Sequence, residues 1–553
     1  MTRALKSHYD LLIIGGGITG ACIAWDAATR GLRAALLERG DFGGATSANS
    51  LKTVHGGLRY LQDANLRQVR KMMRERQAFL RIAPHLVHPL PFLMPAYRRR
   101  PGRSKLLLGA ALKLNDLLSI DRNRDMDPAR ALPAGRVLSR DECLALVPGL
   151  EQDPLSGGIL WHDAQIQNTE RLLLSFILSA IELGADAANY VRVTGVLQEH
   201  HKVTGVTAED LVTGQSLQIG ARVVVNATGA WSHELLSGVP GYERQPRTTQ
   251  SAAMNLVTRQ LLPGPAVALP SRYHRPPPDQ SGEIESRMII IAPWRQYSIV
   301  GTLHIPAHGH PDYEAPGSEL IEHFVAEINH AYPAARLKCQ DVKHVHFGFL
   351  PAEENSPRGV TLMRDEQLVD HARHGLPGLI TALGVKYTTA RHLAEKAVDL
   401  VFHSIEHPAP PCQTRFRPIH GGDANGWHTF RQQAIAAVTA EGVSAPVAAH
   451  LVDTYGSAYT RLMPYVRQDQ CWAEPVAPHE HVTRAEVLHA VRHEMALKLS
   501  DVVCRRTELG SAGPPPPQVA EQCATLMAQE LGWKRQRVTR EIDELYETYA
   551  PIV

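Results

Sequence analysis

Residues 9–39 read YDLLIIGGGITGACIAWDAATRGLRAALLER, and the reading of this stretch decides the fold. An apolar run, Leu11 to Ile14, ends on Gly15. Gly15, Gly17 and Gly20 then spell G-x-G-x-x-G, followed by a helical segment and a second apolar run, Leu32 to Leu37, that closes on Glu38. Each part has a task in a turn that grips a dinucleotide. Gly15 permits the tight turn, Gly17 lets backbone approach a pyrophosphate, and Gly20 lets the helix pack on the strand. The helix start, with Ile18 and Thr19, offers N–H groups to the phosphate. Glu38 stands eighteen residues beyond Gly20, where a carboxylate accepts hydrogen bonds from ribose hydroxyls. The glycines alone are a weak signal; set between two strands, with the acid at this distance, they are specific.

At 553 residues the chain exceeds one hydrophobic core, so two or three domains are expected. A net charge of +2 and the absence of any nucleic-acid motif argue against a nucleic-acid partner. The cysteines (Cys22, Cys143, Cys339, Cys412, Cys471, Cys504 and Cys523) are odd in number and never C-x-x-C. They fit a reducing compartment, no disulfide framework and no zinc site, and read as small core residues. The first strand begins without an apolar signal segment, and no run reaches the roughly eighteen apolar residues of a spanning helix. The expectation is a cytoplasmic protein, free or attached to the inner face of the membrane.

After Arg39 comes GDFGGATSANSLKTVHGGLRYLQ. Small polar residues, Thr46, Ser47 and Ser50 among them, precede Lys52, His55, Gly56, Gly57, Arg59 and Tyr60. Such a loop can lie against a large flat ligand, because its backbone approaches closely. Helical spacing over 65–83 follows, with a charged outer face. The basic YRRRPGRSK of 97–105 runs into LLLGAALKLNDLL, which reads either as an interfacial helix on an anionic membrane or as a loop before a buried helix. Ser139 is a candidate N-cap for a helix to 150, 157–163 reads as a strand and 171–183 as an apolar helix. Two alternating strands then lead to ARVVVNATGAW, where Val223 to Val225 form a buried strand and Ala227, Thr228 and Gly229 turn from it beside the dinucleotide. In GLITALGVKYTTARHLAEKAVD a second strand meets a turn of Gly384, Val385, Lys386 and Tyr387, with a helix from Thr388. Helical spacing returns over 434–440, 444–455, 484–507, 519–531 and 534–549.

These elements predict an α/β architecture. A Rossmann-like dinucleotide-binding domain is assembled from 1–84, 156–240 and 346–405, with a cap or substrate region at 85–155. An antiparallel substrate sheet spans 241–345, a Pro- and Gly-rich linker 406–422, and a C-terminal helical domain 423–553.

The strings IIGGGITGA, ATSANSLKTVHGGLRYL, APHL, NATGAW, APWRQYSIVGT, GVKYTTARHLAEKA and HEMALKLSDVVCRRTELG together resemble the flavin-dependent, quinone-linked glycerol-3-phosphate dehydrogenases, over nearly the whole chain. The fold of that family is that of D-amino acid oxidase-type flavoproteins. The resemblance implies a noncovalent FAD whose N5 takes hydride from the C2 carbinol of glycerol 3-phosphate, giving dihydroxyacetone phosphate, with electrons passed to a quinone or another acceptor. A membrane surface and a second copy of the chain stand as further partners. By match, Gly15, Gly17, Gly20 and Glu38 bind the ADP half, Thr46, Ser47 and Ser50 lie along the flavin, and Gly384, Lys386 and Thr388 close the other side. His55, Arg59 and Lys386 fall in the substrate pocket. Histidine is the residue type suited to accept the hydroxyl proton, Arg59 offers a fork for an anion, and Lys386 can balance negative charge.

The chain also departs from the family. Where a glycine-valine-arginine-proline string places an arginine on the phosphate, this chain has Gly348-Phe349-Leu350-Pro351. Gln250-Ser251-Ala252-Ala253 lacks the family's histidine, and Leu303-His304 replaces threonine-aspartate. Either the phosphate is held differently, by Arg295, His304 or Arg364, or another alcohol, hydroxy acid or amine is the substrate. A third reading is a flavin-binding interaction protein whose pocket has decayed.

Overall fold

The computed structural model describes residues 5–549, apart from 62–63, 98–104, 152–154, 240–241, 243–248, 272–286, 308–309, 313–314, 353–361, 364 and 425. The opening motif forms β1 (His8–Ile14), α1 (Ile18–Thr29) and β2 (Ala34–Leu37). β1 pairs in parallel with β2 on one side, Leu11 opposite Ala34, and with Ser216–Asn226 on the other, Leu11 opposite Val223. The sheet runs 367–370, 379–383, 216–226, β1, β2, 186–188, with a hairpin of Val191–Glu199 and Lys202–Asp210 continuing from 216–226. Parallel strands covered on both faces read as unbroken apolar runs, and Leu11 to Ile13 and Val223 to Val225 are wholly buried. The small residues of α1 (Gly20, Ala21, Cys22, Ala24) admit the close approach of helices Thr169–Glu182 and Ala390–Ser404.

The regions 85–155 and 241–345, read separately in the sequence, share one sheet. Its order is 342–351, 250–259, 297–306, 287–294, 266–271, 87–97, 155–166, 53–54, with 136–138 also paired to 155–166. Every pair is antiparallel except 266–271 with 87–97, where Ala266 meets Phe92. Residues 53–54, next to the glycine loop, pair with 155–166 and so tie this sheet to the dinucleotide-binding part.

Helix Leu66–Ile82 lies where its spacing puts it, yet two of its charges turn inward: Glu75 takes both forks of Arg391, and Arg76 meets Asp163. Helix Lys105–Leu118 buries Leu108 and Leu112 while Leu106, Leu107 and Leu117 stand exposed, so neither sequence reading of it describes both faces; 98–104 lie outside the described residues. The connection 407–422 carries no regular element but is packed down, with Thr414 and Ile419 buried and His420 N–H on Ser179 Oγ at 2.7 Å. The helix expected over 484–507 breaks. Arg484–His493 stops at Glu494, Met495 takes φ +58°, and the chain resumes as Leu499–Asp501 and a wide turn over 502–506. Cys339 is exposed, against the expectation that all seven cysteines are core residues. Among the described residues no helix is long and apolar enough to cross a membrane and no side-chain group could hold a metal.

Candidate active site

A cavity of about 2760 Å3 runs from the end of β2 between the two sheets. Drug-sized ligands occupy about 300–1,000 Å3, so a dinucleotide and a second small molecule fit together. At one end the glycines make a cradle. Gly15 has φ +104°, and a Cβ there would stand 2.7 Å from Ala227 O. A Cβ on Gly20 would stand 2.0 Å from Gly15 O, which is the close helix–strand contact that its place in the motif predicts. Gly17 caps α1 with no side chain of its own, leaving backbone open to the cavity. The half-buried Glu38 accepts Gly16 N–H at 2.6 Å and Gly40 N–H at 2.8 Å, and desolvation raises its pKa from the ordinary value. A backbone cradle at a helix start followed by an acid at the next strand's end is the donor and acceptor set that a pyrophosphate and a ribose require.

Of the residues named from the sequence, Ile18, Thr19, Arg39, Thr46, Ser47, Ser50, Gly57, Ala227, Thr228, Gly229, Gly384, Val385, Tyr387 and Thr388 line this cavity, together with Gly15, Gly17, Glu38, Lys52, His55, Arg59 and Lys386. Gly20 and Gly56 do not; both act by fit. A Cβ on Gly56 would meet Arg76 and Asp163, and its N–H donates to Asp163 Oδ1 at 2.7 Å. Several polar side chains expected on the cofactor also hold the walls together. Ser47 Oγ accepts Ile18 N–H at 3.0 Å, and Thr46 Oγ1 accepts Phe349 N–H at 2.9 Å and donates to Phe349 O at 3.0 Å, fixing the substrate sheet over the loop. The Lys52 ammonium is fully buried, 2.7 Å from Thr169 Oγ1 and 3.2 Å from Glu170, so only the rest of the residue faces the cavity. Arg39 stacks 4.6 Å over Trp231 and pairs with Asp312.

His55, Arg59 and Lys386 all line the cavity. His55 N–H donates to Thr388 Oγ1 at 3.2 Å, joining the glycine loop to the Gly384 turn, and Lys386 Nζ stands 5.4 Å over Tyr60. His55 Nδ1 lies 3.5 Å from Asp163 Oδ2. Asp163 is buried, which by itself raises its pKa, but His55, Arg76 and the Gly56 N–H outweigh burial and hold it at about 2. It is therefore a fixed anion behind the histidine. Sequence reading missed it, since it sits as one more polar residue in the strand Leu155–Ile166, 108 positions from His55, and only strand pairing brings it there.

The substrate sheet supplies the roof. Leu350 lines the cavity where a guanidinium was to be looked for, paired across to Ser251. His304 also lines it, with Ser251 Oγ 3.3 Å from its Nδ1. Burial, then the charges of Arg287 and Arg59, lower His304 to about 4, so it is neutral at physiological pH. Arg287 reaches the same cavity but is paired with Glu327. Arg295 is elsewhere, 2.9 Å from Glu508, and Arg364 lies outside the described residues.

A dinucleotide cradle opening on a histidine and two cations beneath an antiparallel roof defines a flavin-dependent oxidoreductase. Residues 10–395 match the family model of FAD dependent oxidoreductases, and 412–538 the C-terminal domain of alpha-glycerophosphate oxidase. The glycerol-3-phosphate dehydrogenase of Synechocystis sp. is 31% identical, covering 98% of this chain and 96% of its own. The probable mitochondrial glycerol-3-phosphate dehydrogenase of Caenorhabditis elegans is 33% identical over 95% of this chain and 71% of its own. A solved structure, the glycerol-3-phosphate dehydrogenase from Bacillus halodurans complexed with FAD, superposes with a TM-score of 0.76 at 25% identity, covering 99% of this chain and 95% of that one. The chain belongs to the FAD-dependent glycerol-3-phosphate dehydrogenase family.

Proposed function

We propose that this protein oxidises glycerol 3-phosphate to dihydroxyacetone phosphate and passes the electrons to a quinone at a membrane surface. The observation that supports the reading is that His55, Arg59 and Lys386 line one cavity, with His55 N–H bonded to Thr388 and Lys386 standing over Tyr60. Bound FAD supplies the hydride acceptor. The protein's part is to take the hydroxyl proton and hold the phosphate. His55 accepts the proton, its Nδ1 turned to the Asp163 carboxylate, which leaves Nε2 for the substrate and stabilises the imidazolium as it forms. Arg59 and Lys386 bind the phosphate, and neutral His304 adds a hydrogen bond. Helix Lys105–Leu118 supports the membrane contact: its exposed Leu106 and Leu117 face outward while Leu107 and Leu108 line the cavity, so an apolar acceptor could pass from lipid to site along one helix.

Leu350 favours a second reading, in which the substrate is another alcohol or hydroxy acid with less negative charge. Anaerobic mixing of the holoprotein with glycerol 3-phosphate, glycerol and a panel of hydroxy acids and amines separates the two. Bleaching of the flavin by glycerol 3-phosphate at the lowest concentration supports the first. Bleaching only by another compound supports the second, and a flavin that no compound reduces rejects both.

A further inference from the structure

The segment after the helix break at His493 lines the cavity beside the Glu38 loop, through Lys498, Ser500 and Arg505. Asp41, three residues past Glu38, has a wholly buried carboxylate that receives two guanidiniums from the C-terminal domain. Arg506 binds it bidentately, Nη1 to Oδ2 and Nη2 to Oδ1, both at 2.7 Å, and Arg505 Nε donates to Oδ2 at 2.5 Å. Asn189 Nδ2 donates to Asp41 Oδ1 and to Met495 O, each at 2.9 Å. Tyr190 OH donates to Asp501 Oδ1 at 2.6 Å, and Arg505 Nη2 reaches the same oxygen at 2.7 Å. Glu494, where the helix stops, takes Arg171 at 2.6 and 2.8 Å. Three acids and three arginines balance across this junction, so no buried charge is left over; opening it would strand several at once.

The same junction frames the loop that carries Glu38. Tyr190 N–H donates to Gly40 O at 2.9 Å and Val191 N–H to Glu38 O at 2.8 Å, so the loop is stitched to 190–191 on one side and clamped through Asp41 on the other. The cavity wall there is shared between the domains: Glu38, Arg39, Gly40, Asp41 and Tyr190 from one, Lys498, Ser500 and Arg505 from the other. None of this is needed merely to bring two domains together, since a hydrophobic contact would do so without buried charge. Its place is what matters, at the loop whose Glu38 lines the cavity.

We infer that the C-terminal helical domain is part of the cofactor site: Arg505 and Arg506 are positioning residues that set the Glu38–Asp41 loop, and FAD binding and docking of the segment 494–506 are therefore linked. Linkage is reciprocal, so whatever the docked segment adds to FAD affinity, FAD adds to the docking of the segment. The test uses the full chain. Hydrogen exchange of the wild-type protein with and without FAD should show added protection of 494–506, with helix Trp427–Ala440, which does not line the cavity, little changed. Asp41→Asn, which keeps the shape and removes the charge, should weaken FAD binding by at least tenfold, read by flavin fluorescence, and should abolish the FAD-dependent protection. Unchanged exchange at 494–506, or protection equal to that of 427–440, overturns the inference, as does a folded Asp41→Asn protein with wild-type FAD affinity. If that variant does not fold, the wild-type exchange experiment decides alone.

Discussion

Replacing Asp163 by Asn tests the chemistry assigned to His55, because the structure gives the carboxylate two separable tasks. It is 3% exposed, accepts Arg76 Nη1 at 2.6 Å and Gly56 N–H at 2.7 Å, and stands 3.5 Å behind His55 Nδ1. Its pKa is held at about 2 against an ordinary 3.8, and at 1.36 kcal/mol per unit the site favours the anion by about 2.5 kcal/mol. The neutral amide of the Asp163→Asn variant would leave the Arg76 guanidinium buried without its counter-ion, for which about 3–5 kcal/mol of lost stability is expected. The second effect is on rate. General-base catalysis is worth about 10²- to 10⁴-fold, and an imidazole without its carboxylate partner is less well aimed. Flavin reduction should slow by one to two orders of magnitude. Stopped-flow reduction of the wild type, Asp163→Asn, His55→Ala and the double variant separates rate from stability. If Asp163 acts through His55, Asp163→Asn costs nothing further in rate in the His55→Ala background, while its stability cost persists. Equal slowing in both backgrounds refutes the assignment.

Leu350→Arg should lower the KM for glycerol 3-phosphate about tenfold to a hundredfold, from the roughly 1.5–3 kcal/mol of a charged hydrogen bond, and leave that for glycerol unchanged; steady-state kinetics on both decides. Burial first, against the pull of Glu494, lowers His489 to about 4, and burial puts His346 well below 6.5. Histidines depressed in the folded state take up protons on unfolding, so the stability they give is whole above pH 6.5 and is lost as pH falls toward 4; calorimetric Tm should drop over that window, and less in His489→Gln. Leu117, 65% exposed, should contribute roughly 1.5–3 kcal/mol on entering lipid, so Leu117→Glu should weaken sedimentation with anionic vesicles by more than tenfold and leave flavin content unchanged.

The dinucleotide cradle was legible in the sequence because it is local: Gly15, Gly17, Gly20 and Glu38 lie on one β-turn-α-β unit, and spacing alone fixes their relation. His55, Arg59 and Lys386 were named through family strings, and all three line the cavity. What the sequence could not give depends on pairing between distant segments. Asp163 reaches His55 through the pairing of 53–54 with 155–166, His304 and Leu350 meet the cavity through one face of a nine-stranded sheet, and Asp41 meets Arg505 and Arg506 from more than 460 residues away. Periodicity sees an element's own faces; it carries no register between strands and no docking between domains. The helix predicted through 494–506 failed for that reason, since Glu494, Arg505 and Arg506 find ion-pair partners, and Asp501 a hydrogen bond from Tyr190, on the distant dinucleotide-binding part.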